Sequence, residues 1–287
     1  MAENLSKGDI DMNREPELVF YCNSTLLEGP RWDAKRNSLL CVSIEQSCIY
    51  EINTKTGKIR TFQTNGQVGC ALLDNNDHII AAAYNGLYQI DMNTGKSEFL
   101  IQLNTEKDLR YNDGILDAKG RVLVGTTGYN CSAPNRNCLY SWDGQQIKKL
   151  VTGTTISNGI AFSKDNTKMY FVDTPTKKVG CYSYDIETGD SVFEKYVIEI
   201  TDGGVPDGIC MDDDGMLWTA EWGGSKVSKW NPATGEKTDE IVLPCLNVSS
   251  CCIGGEKKDT LFITTAKHDD GSMSEIMAGG LFAVKIR

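Results

Sequence analysis

Four oxygen-bearing side chains stand directly before a glycine at long, recurrent intervals: Glu28 before Gly29, Asp113 before Gly114, Asn158 before Gly159 and Asp207 before Gly208. Two further copies of the same stretch carry Val68 before Gly69, and Cys251 with Cys252 in place of the glycine. Any one acid before a glycine reads as a turn or cap residue. The recurrence is what matters. If each copy opens an equivalent strand around one axis, the side chains converge, and crowded carboxylates repel and lose water at a cost. A divalent cation relieves both effects. Carboxylate and amide oxygens form a hard ligand set suited to Ca²⁺, Mg²⁺ or Mn²⁺ and acceptable to Zn²⁺. The chain has two histidines, His78 and His268, so a histidine-rich zinc site is excluded.

Arg110-Tyr111-Asn112-Asp113-Gly114 sets a cation and an amide beside the third copy. Arg110 either meets a substrate oxygen or pairs with a carboxylate such as Asp108. No Ser-His-Asp arrangement, P-loop or dinucleotide fingerprint is present.

The elements that must position these residues repeat about every 45 residues. Each unit is a short strand, a tight turn and a second strand, with turn ends at Asn37, Asp77, Gly120, Asn166, Gly215 and Asp259. An offset series, Asn53 to Lys58, Asp91 to Lys96, Trp142 to Gly144, Asp185 to Asp190 and Asn231 to Glu236, marks a second hairpin in each unit. Helical periodicity is absent. Six units of about four strands predict an all-β, six-bladed β-propeller with a central metal-binding channel. The early run Glu17 to Tyr21 and the final run Gly280 to Ile286 are expected to share one blade and close the ring. Residues 1–16 read as a polar extension and 17–287 as a single propeller domain. The segment Gly128 to Cys138 breaks the strand pattern and reads as a lid or a long blade loop. Trp218 reads as core, and Trp222 as packing or a sugar contact.

The formal net charge of -10 argues against binding a phosphate backbone, and no apolar run reaches the length of a membrane span. The first sixteen residues lack an apolar signal region, and the eleven scattered cysteines then read as reduced core thiols of a cytoplasmic protein. The expected partner is a small molecule, with neither nucleic acid nor membrane, and the chain a monomer or weak homo-oligomer.

Leu27-Glu28-Gly29-Pro30-Arg31-Trp32, Arg110-Tyr111-Asn112-Asp113-Gly114, Ser157-Asn158-Gly159 and Pro206-Asp207-Gly208, in that order, resemble the gluconolactonase/regucalcin (senescence marker protein)/luciferin-regenerating enzyme-like family. Ser249 to Gly255 is similar to the regucalcin branch, and the resemblance runs from about residue 17 to the end. It implies one divalent cation in the channel, held by Glu28, Asn158 and Asp207, with Arg110 and Asn112 touching substrate and Asp207 moving the proton. Here the two lines of reading differ: position before glycine selects Asp113, the family pattern selects Asn112, and Asp113 is left to orient its neighbours. The regucalcin branch carries an acid in the lid; this chain has none between Gly128 and Cys138. The resemblance implies a gluconolactonase-like, metal-dependent hydrolase that opens sugar lactones. A phosphotriesterase-like or fluorophosphatase-like hydrolase on the same site, and a non-catalytic calcium-binding propeller, are the alternatives.

Overall fold

The computed structural model describes residues 14–74, 76–131, 133–268 and 276–286. Residues 1–13 of the expected extension lie outside them. Among the described residues twenty-four strands, β1 to β24 in chain order, form six antiparallel sheets of four. Their innermost strands are β2 (Leu27–Asp33), β6 (Val68–Leu73), β10 (Leu109–Leu116), β14 (Ser157–Phe162), β18 (Val205–Met211) and β22 (Asn247–Gly254). Each opens a blade that then runs outward through the next three strands. The molecule is the predicted six-bladed propeller.

The sixth blade closes the ring as expected. Its order is β22, β23 (Thr260–Ala266), β24 (Gly280–Lys285) and then β1 (Glu17–Tyr21), so the first strand of the chain completes the last blade. Leu18 pairs with Phe282 and Tyr21 with Gly280, so β1 covers the outward edge that β24 would otherwise leave open.

Local sequence explains the blades. The second strands, such as β3 (Ser38–Ser43) and β23, are buried along their whole length and carry mostly apolar residues with small hydroxyl side chains. Both faces of a blade pack on neighbours, so these strands show no polar alternation. Outermost strands such as β17 (Asp190–Glu199) are largely exposed and correspondingly polar. The first hairpins turn on Asn37, Asp77, Gly120, Asn166 and Gly215, all with positive φ, but in blade 6 Lys258 and not Asp259 takes the left-handed position.

The core lies between blades rather than at the axis. Leu40, Val42 and Ile49 of blade 1 interlock with Val68, Ala71 and Ile79 of blade 2. Trp218, Ala220 and Val227 of blade 5 do the same with Val248, Cys251 and Ile263 of blade 6. Each fully buried aliphatic side chain contributes about 1.5–3 kcal/mol, so the seams carry the stability and leave the channel free to be polar. Among the described residues no helix is long and apolar enough to cross a membrane.

Candidate functional site

Every inner strand is interrupted by a bulge, and the bulges place the site. Pairing breaks after Glu28↔Val42, Tyr111↔Thr126, Ser157↔Asp173 and Pro206↔Glu221. The residue next after the last pair is Asn112 in blade 3, Asn158 in blade 4 and Asp207 in blade 5. A bulge re-aims its side chain out of the pleat, here toward the axis. Glu28 is itself the last paired residue, one place earlier, and has the longer side chain.

This register corrects the count from glycines. Asp113 occupies the place held by Gly159 and Gly208, and Asn112 is the true counterpart of Asn158 and Asp207. The cause is that the glycines answer different steric demands. A Cβ on Gly159 would lie 2.5 Å from Asp207 O, and one on Gly208 would lie 2.7 Å from Ser250 Cα, so these two admit the next blade's backbone. Gly114 instead clears Cys70 Sγ and Leu123 O, which such a Cβ would meet at 2.7 and 2.8 Å. In blade 6 the bulged residue is Ser249, not Cys251, which pairs regularly with Ile263.

The side chains form one connected arrangement. Arg110 Nη1 donates to Asn112 Oδ1 (2.7 Å) and to Tyr111 O (3.0 Å). Asn112 Nδ2 donates to Ser157 O (3.0 Å) and Asn158 Oδ1 (3.3 Å). Asn158 Nδ2 donates to Thr174 Oγ1 (3.0 Å), whose hydroxyl donates to Pro206 O (2.9 Å). The chain thus runs from blade 3 through blade 4 to blade 5 and fixes both amide orientations. Asp108, offered above as a surface partner for Arg110, pairs with Arg136 at 2.7 Å; Arg110 is buried.

Glu28, Asp113 and Asp207 are all buried, and their situations differ. Asp113 Oδ1 accepts from Arg31 Nη2 (3.1 Å) and from Gly114 N (2.7 Å). Arg31 also donates to Gly114 O (2.6 Å) and Pro30 O (2.9 Å), so it is locked against Asp113. Glu28 Oε2 accepts from Gly29 N at 2.7 Å. Asp207 Oδ1 is buried and has no hydrogen-bond partner among the described residues. Burial first, and then the charges of Glu28 and Asp113, push the Asp207 carboxyl well above its ordinary range. Burial and Asp113 push Glu28 up to about 8, against the pull of Gly29 N–H, Arg110 and Arg31.

Among the described residues no group of three or more His, Cys, Asp or Glu has metal-binding spacing. Glu28 lies close enough to Asp207 for its charge to bear on it, and the Asn158 amide stands beside Asp207, so the oxygen donors here are two carboxylates and an amide. An orphaned, buried carboxylate oxygen is what a missing cation leaves behind, and the hard oxygen set fits a divalent metal. Asp113 is already neutralised by Arg31. Sequence reasoning missed the roles of Arg31 and Thr174. Arg31 stands inside the first motif, but nothing in the sequence shows that it crosses the channel to blade 3. Thr174 follows β15 (Lys168–Asp173) in a single 3₁₀ turn and carries no signal. The segment after Gly128 brings Cys131 into the neighbourhood of Arg110 and Asp207. Trp218 is core, its Nε1 donating to Asp212 Oδ2 at 3.2 Å.

The fold and the polar channel together define a six-bladed propeller with a carboxylate–amide site on its axis. A family model described as SMP-30/Gluconolactonase/LRE-like region matches residues 26–267, and the chain belongs to that family. Human regucalcin is 28% identical over 279 residues, 93% of each chain. "Putative sugar lactone lactonase YvrE" of Bacillus subtilis is 30% identical over 266 residues, 90% of each chain. The solved structure of regucalcin from Agrobacterium tumefaciens, described as a calcium-binding protein, matches at a TM-score of 0.89 and 23% identity over 96% of each chain, which bears on the fold alone.

Proposed function

We propose that the chain is a metal-dependent hydrolase that opens sugar lactones. The observation that carries this reading is Asp207 Oδ1, buried and without a partner beside Glu28 and Asn158. Membership of a family that includes named lactonases supplies the substrate class. Glu28, Asn158 and Asp207 would hold the cation, one of Ca²⁺, Mg²⁺, Mn²⁺ or Zn²⁺. When bound, it supplies Lewis acidity toward the lactone carbonyl and the attacking water. Asp207 takes the proton of the attacking water and returns it to the departing ring oxygen. Arg110 and Asn112 orient the sugar hydroxyls, their own geometry fixed by the hydrogen bond between them.

Asp207→Asn preserves shape and removes the base. Glucono-1,5-lactone hydrolysis, assayed after EDTA treatment with each metal restored in turn, should fall by at least about 100-fold in this variant. Turnover equal to the parent's would end the assignment.

A further inference from the structure

Cys210 and Cys251 face each other across the seam between blades 5 and 6, with their sulfurs 3.7 Å apart. They lie on the inner strands β18 and β22, which do not hydrogen-bond to one another as a sheet. Just above them the two backbones touch, since a Cβ on Gly208 would lie 2.7 Å from Ser250 Cα. A cavity of about 670 Å³ opens onto this point, lined by Arg31, Trp32, Ile209, Cys210 and Cys252. Cys210 is therefore reached from solvent, whereas Cys251 is fully buried, its sulfur 3.7 Å from Trp218 O.

We propose that Cys210 and Cys251 are an oxidation site that closes to a disulfide between blades 5 and 6 when a hydroperoxide enters this cavity. The Cys210 thiolate attacks one oxygen of hydrogen peroxide, the O–O bond breaks, and hydroxide leaves to be protonated to water. Cys210 is then a sulfenic acid. The Cys251 sulfur attacks it, the S–O bond breaks, and a second water leaves as the S–S bond forms. Two thiols have lost two electrons and two protons to one peroxide. The sulfurs must approach from 3.7 Å to about 2 Å, and no ladder hydrogen bond between β18 and β22 has to break for that shift. The Cys251 contact and burial push the Cys210 thiol well above its ordinary range, and the Arg31 guanidinium offsets this only in part. The pair therefore reacts more slowly than exposed Cys131.

The test is peptide mapping of the full chain after graded hydrogen peroxide, with denaturing alkylation. The expected result is one Cys210–Cys251 cross-linked peptide per chain, reversed by dithiothreitol, appearing after Cys131 has reacted. Cys251→Ala should leave Cys210 trapped as a dimedone-reactive sulfenic acid. Both thiols remaining alkylatable at peroxide levels that fully oxidise Cys131 would overturn the proposal. So would linkage of Cys210 to Cys252 instead. The wild-type map decides the matter even if the variant does not fold.

Discussion

Glu28 makes the channel sensitive to pH in a direction opposite to that of most protein carboxylates. Its ordinary pKa of 4.5 is raised to about 8 by burial and by Asp113. Between those values the folded metal-free protein holds a proton that the unfolded chain has released. By linkage, stability then falls as pH rises through this window, is unaffected by Glu28 below it, and carries the full penalty above it. At about 1.4 kcal/mol per pH unit, the gap caps the Glu28 penalty at about 5 kcal/mol. Asp207 is displaced the same way and adds to it. A bound cation reverses the balance by stabilising the carboxylates. Urea unfolding in EDTA at pH 5, 6.5 and 8 should show the parent losing stability relative to Glu28→Gln, with the two converging at the acid end. Added calcium should restore the parent at pH 8 and leave the glutamine variant unchanged. Calorimetric titration should show the parent binding calcium at least about tenfold more tightly per pH unit from pH 6 to 8, with about one proton released from Glu28 and a further release from Asp207. A parent-minus-variant difference that is flat from pH 5 to 8 would refute the reasoning.

Other perturbations separate the parts of the channel. Arg31→Met strands the buried Asp113 charge and should cost about 3–5 kcal/mol by denaturant unfolding, much of it recovered when Asp113→Asn is added. Gly159→Ala drives a Cβ to 2.5 Å from Asp207 O, and should lower stability by about 1–3 kcal/mol and weaken metal binding in the same titration. Arg110→Lys keeps the charge but loses the planar fork that fixes Asn112 Oδ1. It should reduce kcat/KM on the lactone by about tenfold while metal affinity changes less than twofold.

Much of the fold was legible because a propeller repeats its punctuation. The Thr-Gly hairpins recur in four blades and a left-handed Asn, Asp or Gly turn end in five, and each imposes a backbone conformation that few residues tolerate. Lys258 shows the limit: a non-glycine residue took the left-handed position because the flanking strands fixed the turn regardless of local preference. The site was legible only to within one residue. Glycine spacing reports where a neighbouring blade presses on the backbone, and in blade 3 that pressure falls on Gly114, displaced by one residue from Gly159 and Gly208. The bulge sets which side chain faces the axis, and a bulge is a property of pairing that no single strand encodes. For the same reason the hydrogen bonds from Asn112 to Ser157 and Asn158 and from Thr174 to Pro206 could not be read from the chain, since they cross between blades.

The three buried acids then sort themselves by partner rather than by motif. Asp113 has a guanidinium and a backbone N–H on one oxygen, so its charge needs nothing further. Glu28 has one backbone N–H, and Asp207 presents an oxygen that nothing in the described chain satisfies. Had all three served only to build the fold, each would be expected to carry a counter-charge as Asp113 does, because an uncompensated buried carboxylate destabilises the seams that hold the ring. Arg31 could not serve all of them: its amino groups are already engaged by Asp113, Gly114 and Pro30. Among these three, incomplete neutralisation falls on Glu28 and Asp207, an asymmetry that supports the proposed role of these two in holding a cation and leaves Asp113 a structural ion pair.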